Sequence, residues 1–215
     1  MTMFQSVPVM PDFAIENKHQ REGCSPVAGI DEAGRGPLAG PVVAAAAILP
    51  DGFKCEGLND SKKITPSRRE KIFEMLTAAD SGVIWSLSKI EPREIDSINI
   101  LRATHKAMAC AATSLEIQPA MSLIDGLPIK GFPYPYCAVV KGDSLSMSIA
   151  AASILAKVHR DRIMIEYAKT YPQYKFDRHK GYGTRLHLDA LNTHGPCEIH
   201  RQSFAPVAQA ARPLS

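Results

Sequence analysis

Short apolar runs bounded by turn residues alternate along this chain with stretches whose apolar residues recur at helical spacing. Pro26–Glu32 (P-V-A-G-I-D-E) is a short apolar run ending in acid and reads as a strand. Pro41–Leu49 follows, closed by Pro50-Asp51-Gly52. Its alanines leave a helix open, but so short a run between breakers favours a buried strand. Thr65-Pro66 opens a helix, with Thr65 as N-cap and Pro66 in the first turn, and Ile72, Met75, Leu76 and Ala79 give it one apolar face. Gly82–Ile90 alternates as a strand should, and Glu91 to about Leu115 reads as one helix. Met121–Asp125 and Tyr136–Val140 are further strands. Ser144 to about Thr170 is a long helix and Thr184–His194 a short one stopped by Gly195-Pro196.

Strands and helices mix, and the first two strands are close enough for antiparallel pairing. The expected class is α/β, a mixed sheet flanked by helices, with a small C-terminal helical segment from about residue 170. Residues 1–25 read as a loose leader and 208–215 as a tail. At 215 residues, 45% hydrophobic and 22% charged, one globular domain is the default and a disordered chain is excluded. The 5 cysteines are odd in number and form no C-x-x-C pair, which argues against a zinc ribbon or disulfide framework and for a reducing cytoplasm. The longest apolar runs, Val42–Leu49 and Ile149–Ala156, fall far short of the ~20 residues that span a bilayer.

A net charge of +3 neither demands nor forbids a polyanionic partner. The charge is uneven, however: Lys and Arg outnumber Asp and Glu between Leu155 and Arg201, where most of the histidines also lie. That segment reads either as a solvated face or as a phosphate-contacting surface.

Four acids sit where sheet meets loop: Asp31 and Glu32 at the end of the first strand, Asp125 before Gly126, and Asp143 after the Tyr136–Val140 strand. Apolar segments deliver all four, so cations must neutralise them or they must face a wet cleft. Taken singly, each reads as a helix cap or ion-pair partner. Together, with no histidine or cysteine close in sequence, they suit a hard divalent cation, Mg2+ or Mn2+. Two such ions ~4 Å apart would activate water against a phosphoryl group, so the pattern suggests phosphodiester hydrolysis. Gly34-x-Gly36-x-x-x-Gly40 mimics a dinucleotide-binding turn, but a strand rather than a helix is expected after it, and Asp31-Glu32 would repel a pyrophosphate. Gly34 and Gly36 better serve close backbone approach to a ligand, with Arg35 between them as a donor.

These residues fall in blocks that resemble bacterial ribonuclease HII, the type 2 ribonuclease H family: I-D-E-A-G-R-G-P-L-A-G-P-V-V-A-A-A (30–46), L-N-D-S-K-K (58–63), E-I-D-S-I-N-I (94–100), L-I-D-G (123–126), K-G-D (141–143), I-A-A-A-S-I-L-A-K-V-H-R-D (149–161), H-K-G-Y-G-T (179–184) and H-R-Q-S-F-A-P-V (200–207). The resemblance implies a ribonuclease H-like catalytic domain over 26–207. It implies an endonuclease that hydrolyses the RNA strand of RNA/DNA hybrids and incises 5′ of single ribonucleotides embedded in duplex DNA. The ends left are 3′-hydroxyl and 5′-phosphate, and the setting is ribonucleotide excision in replication and repair. It carries metal binding to Asp31, Glu32, Asp125 and Asp143, with Asp143 orienting the attacking water. It carries ribonucleotide reading to Gly34, Arg35 and Gly36, and packing on the next deoxyribose to Tyr182. Backbone contacts are expected from Asn59, Ser61, Lys62, Lys141, Ser153, Lys157, Lys180 and Arg185, although Ser153 and Lys157 would be neighbours on one helix in any case. The chain is taken as a monomer whose partner is nucleic acid. Two rivals stand beside this reading: a non-catalytic nucleic-acid-binding module, motivated by the basic segment, and a dinucleotide-dependent oxidoreductase, motivated by the glycine turn alone.

Overall fold

The structure is a computed structural model that describes residues 10–55, 57, 58, 61 and 64–211. Five strands form one sheet: β1 (Val27–Ala33), β2 (Val42–Ile48), β3 (Ile84–Ile90), β4 (Met121–Asp125) and β5 (Tyr136–Val139), in the order β3-β2-β1-β4-β5. β1 and β2 pair antiparallel, as do β2 and β3, whereas β4 lies parallel to β1 and β5 parallel to β4. The α/β class expected from the sequence, a mixed sheet flanked by helices, is the one observed. Helices are α1 (Ala14–Arg21), α2 (Pro66–Thr77), α3 (Pro92–Ile98), α4 (Ile100–Thr113), α5 (Met147–Thr170), α6 (Phe176–His179), α7 (Arg185–His194) and α8 (Ala205–Ala210).

The alanine-rich run is a strand buried on both faces, and the period of two explains its composition. Val43, Ala45 and Ala47 face α5 and the apolar stripe of α2, Ile72, Phe73 and Leu76. Val42, Ala44 and Ala46 join Ile30 in packing against Ala103, Ala107 and Met108 of α4. Small side chains on both faces let two helices press close to one strand. At Gly29 the approach is closer still: a Cβ there would lie 2.0 Å from the backbone carbon of Ser148. The first turns of α5 thus cross the central strand two residues before Asp31.

Four sequence expectations change. The helix expected from Glu91 to Leu115 is two, α3 and α4, broken at Asn99, whose φ is 67°. Asn99 then caps α4 through its side-chain oxygen, which accepts from Arg102 N at 3.1 Å. The long helix begins at Met147 rather than Ser144, because Gly142–Ser144 form a separate 3-10 turn. The loose leader does not hold over α1, where buried Glu16 accepts from Ser146 Oγ and Ser148 N at the start of α5. Residues 205–210 form a helix that the pattern missed.

The basic segment is mostly committed within the protein. Arg160 and Arg201 are fully buried. Lys157, Arg162, Lys169 and Arg185 pair with Asp161, Glu70, Glu166 and Asp189. The two buried arginines are therefore scaffold, while each of the other four cations stands beside a carboxylate nearer the surface. Among the described residues no helix is long and apolar enough to cross a membrane.

Gly29→Ala should destabilise the fold by about 1–3 kcal/mol, the usual range for overpacking. The thermal midpoint would then fall by about 2–4 °C per kcal/mol; an unchanged melting curve would show that α5 can shift off the strand freely.

Candidate active site

β1 and β4 run in parallel register, Ile30 opposite Ile124, so the next residues on each, Asp31 and Asp125, emerge at the same end of the sheet. Asp31 is 6% exposed and its Oδ1 accepts from the Glu32 backbone N–H at 2.7 Å. Burial pushes Asp31 well above the usual carboxylate range, and the charges of Glu32 and Asp125 push it the same way. Burial raises Glu32 too; the Arg35 guanidinium, 3.4 Å away, opposes this and Asp125 reinforces it. The three carboxylates therefore feel one another, with Arg35 as the nearby cation.

Asp143 reaches this end of the sheet through the turn after β5. The Gly142 N–H donates to Asp125 Oδ1 at 2.7 Å, tying the turn to Asp125. A Cβ at Gly142 would lie 2.5 Å from Ile149 Cδ1, so glycine permits that approach. Asp143 itself is 6% exposed. Among the described residues no three His, Cys, Asp or Glu side chains stand close enough to enclose one ion by themselves.

After β1 the chain makes the glycine turn, and a strand, β2, follows it rather than the helix a dinucleotide site needs. The two buried arginines hold this turn. Arg201 donates to the carbonyls of Gly34 (2.6 Å), Arg35 (3.0 Å) and Gly40 (2.9 and 3.0 Å). Arg160 donates to Pro41 (2.9 Å), Ala39 (3.1 Å) and Lys180 (3.0 Å). Burial lowers Arg160 to about 10 and Arg201 to about 9, so both remain cations at neutral pH, solvated by carbonyl dipoles instead of water. Gly34, with φ of 101°, would place a Cβ 2.1 Å from Arg160 Nε; a side chain cannot coexist with this clamp.

A cavity of about 430 Å³ opens between the turn and α5, lined by Asp31, Glu32, Gly34, Arg35, Gly36, Ser61, Ser153, Lys157 and Tyr182, with Ala33. The structure thus gathers nine of the residues singled out from sequence. Tyr182, 43% exposed, faces Gly36, where a Cβ would sit 3.7 Å from the ring. Ser153 Oγ donates to Ser61 Oγ at 3.0 Å and bonds to Asp31. A second cavity on the far side of Glu32 and Arg35 takes in Asp125 and His105. Lys141, Lys180 and Arg185 line neither; Lys180 donates to the Asp177 carbonyl and Arg185 lies 3.6 Å from Asp189. Asn59 and Lys62 lie outside the described residues.

A family profile described as Ribonuclease HII matches residues 28–207. The chain belongs to the ribonuclease HII family. It is 56% identical over 188 residues to a Ribonuclease HII of Chlamydia abortus, spanning 87% of this chain and 88% of that one. A Ribonuclease HII of Desulfitobacterium hafniense is 55% identical over 183 residues, 85% of this chain and 70% of that one. Among solved structures, ribonuclease H2 from Pyrococcus horikoshii superposes with a TM-score of 0.70 at 26% identity, over 86% of this chain and 96% of that one. The protein is accordingly a ribonuclease H, an enzyme of the family that cleaves the RNA strand of RNA/DNA hybrids.

Within this ribonuclease HII, the residues that sequence reasoning missed are the clamps. Arg160 and Arg201 lie inside two of the blocks that carry the resemblance, but a charged residue there reads as surface. The signal was local: Arg160 falls on the helix that carries the buried run Ile149–Ala156, one turn from Ala156.

Because the ionised form of Asp31 is penalised in the folded state, Asp31→Asn should raise the thermal midpoint in chelator by several degrees, about 2–4 °C per kcal/mol relieved. A lower midpoint in the variant would contradict the repulsion described above.

Proposed function

We propose that this ribonuclease HII, beyond cutting RNA paired with DNA, incises on the 5′ side of single ribonucleotides embedded in duplex DNA, leaving 3′-hydroxyl and 5′-phosphate ends. One observation carries the reading: Arg201 turns the carbonyls of Gly34 and Arg35 inward. In a planar trans peptide the N–H of the next residue points opposite to that carbonyl. The N–H groups of Arg35 and Gly36 are thus aimed away from Arg201 as a fixed pair of donors. A 2′-hydroxyl can accept from them, and a deoxyribose has no oxygen to offer. A site built to pair with a hydroxyl discriminates strongly against the analogue lacking it.

Tyr182 completes the reader. Its ring stands across from Gly36, and its flat face suits the apolar surface of the next deoxyribose. Ser61, Ser153 and Lys157 line the same cavity and serve the backbone phosphates, with Lys157 also held by Asp161 at 2.8 Å. Lys141, Lys180 and Arg185, beyond the cavity, would meet the flanking duplex.

The four acids make the hydrolytic end. Their donors are all oxygen, and the mutual repulsion of Asp31, Glu32 and Asp125 calls for positive charge. Mg2+ or Mn2+ held by Asp31, Glu32, Asp125 and Asp143 would supply that charge and polarise the scissile phosphate. Mg2+ commonly uses one or two carboxylates and completes its shell with water and substrate phosphate, so a site not closed by protein alone suits it. Asp143, buried in the turn tied to Asp125, would hold the attacking water by accepting a hydrogen bond from its O–H.

Asp125→Asn should abolish cleavage of a duplex carrying one ribonucleotide, in Mg2+ and in Mn2+, while the circular dichroism spectrum stays native. Tyr182→Ala should slow incision at that junction by about tenfold, the loss of roughly 1.4 kcal/mol of transition-state contact. Wild-type rates in Asp125→Asn would remove the acid from the mechanism, and wild-type rates in Tyr182→Ala would remove the reader.

A further inference from the structure

Behind Tyr182 lie three buried histidines that the hydrolytic chemistry leaves unused: His179, His187 and His200, at 8%, 0% and 1% exposure. His187 and His200 are linked in a chain of hydrogen bonds, and His179 stacks on His187. His187 Nδ1 lies 3.0 Å from the Tyr182 carbonyl, and His187 Nε2 lies 3.1 Å from His200 Nε2. His200 Nδ1 accepts from the Cys197 backbone N–H at 2.9 Å and lies 3.1 Å from Cys197 Sγ.

The partners determine where every proton sits. A carbonyl only accepts, so His187 carries its proton on Nδ1. His200 Nδ1 receives a backbone N–H, so its proton is on Nε2. His200 Nε2 therefore donates to His187 Nε2, and both rings are neutral. A second proton on His187 would set N–H against N–H. Burial agrees, holding His187 and His200 down at about 4. The neighbours that face the chain are aromatic or neutral. His179 stacks on His187 with centroids 4.5 Å apart, and Phe176 and Tyr174 pack edge-on against the rings. Burial keeps Cys197 a thiol, pushed up to about 11.

The loop bearing Tyr182 is held at three successive residues. Lys180 O accepts from Arg160, Gly181 N–H donates to His179 Nδ1, and Tyr182 O accepts from His187. The far end of the relay, His200, adjoins Arg201, which clamps Gly34 and Arg35. Two consecutive residues thus fix the two walls of the cavity: Arg201 the reader turn, and His200, through His187, the tyrosine.

We infer that His187 and His200 are positioning residues that set Tyr182 at the right distance from the Gly34-Arg35-Gly36 turn, and so govern selectivity for the ribonucleotide junction. This rests on the reading of Tyr182 as the sugar-packing residue. A core histidine pair that merely stabilised the fold would act on activity whether or not Tyr182 carried its ring.

A double-mutant cycle separates the two. His187→Leu should lower kcat on a duplex with one ribonucleotide by about tenfold, the scale of losing one well-placed contact. His187→Asn, which returns a side-chain N–H near the position of Nδ1, should restore most of that rate. In a Tyr182→Ala background His187→Leu should change nothing further. Additive losses in that background, or no rescue by His187→Asn, would overturn the inference. If Tyr182→Ala alone cuts at the wild-type rate, it is the reading of Tyr182 that fails, and the positioning role with it. Should His187→Leu not fold, nitrogen-15 NMR of the wild-type histidines still decides: His187 protonated on Nδ1 and His200 on Nε2 at neutral pH is expected, and His187 protonated on Nε2 would break the relay.

Discussion

Parallel pairing of β1 with β4 sets Asp31 next to Asp125, and almost everything functional in the molecule answers to that juxtaposition. The charge of Asp125 penalises ionised Asp31, and Glu32 adds to this. The sheet tolerates the strain because it is apolar and covered on both faces further down. β2 contributes alternate residues to both cores, and α5 crosses β1 at Gly29. Stability is generated in the middle of the sheet and spent at its end, where charge is needed.

The turn between β1 and β2 is held by a different device, the buried arginine. Among the described residues neither Arg160 nor Arg201 forms an ion pair with a carboxylate; both are solvated by backbone carbonyls of the turn between β1 and β2. That orientation converts a flexible glycine stretch into a rigid row of outward N–H groups. On the reading proposed above, nucleic acid would meet donors already ordered, the entropy of fixing the loop having been lost in folding rather than in binding.

Much of this was legible beforehand. Asp31, Glu32, Asp125 and Asp143 stood out because apolar runs that end in acid are costly unless the acid has a purpose. Thr65-Pro66 announced its helix by capping chemistry, and Thr65 caps as expected; Thr184 caps a helix too, which the pattern had marked only by its stop at Gly195-Pro196. The glycine turn could be separated from a nucleotide site because Pro41–Leu49, a short run between breakers, favours a strand and Asp31-Glu32 would repel a pyrophosphate. What escaped was whatever depends on partners distant in sequence. Arg160 and Arg201 counted as surface charge, since composition does not reveal that backbone carbonyls will surround a cation. Three histidines of the C-terminal segment, His179, His187 and His200, added to an apparently basic face although they are buried. Asn99 broke a helix through its backbone angle, which propensity alone does not show, and Glu16 drew α1 out of the leader by bonding to residues some 130 positions away.

The central claim is that anionic side chains crowded at one end of the sheet form a receptor for divalent cations. Calorimetric titration of Mn2+ into the protein, in paired buffers of different ionisation heat, tests it most directly. Metal must displace any proton held by the raised Asp31 carboxyl, so binding should release protons, and more of them as pH is lowered. Replacing Asp31 and Asp125 together by asparagine should eliminate both the binding heat and the proton release. Equal Mn2+ binding by the wild type and by that double variant would contradict the account.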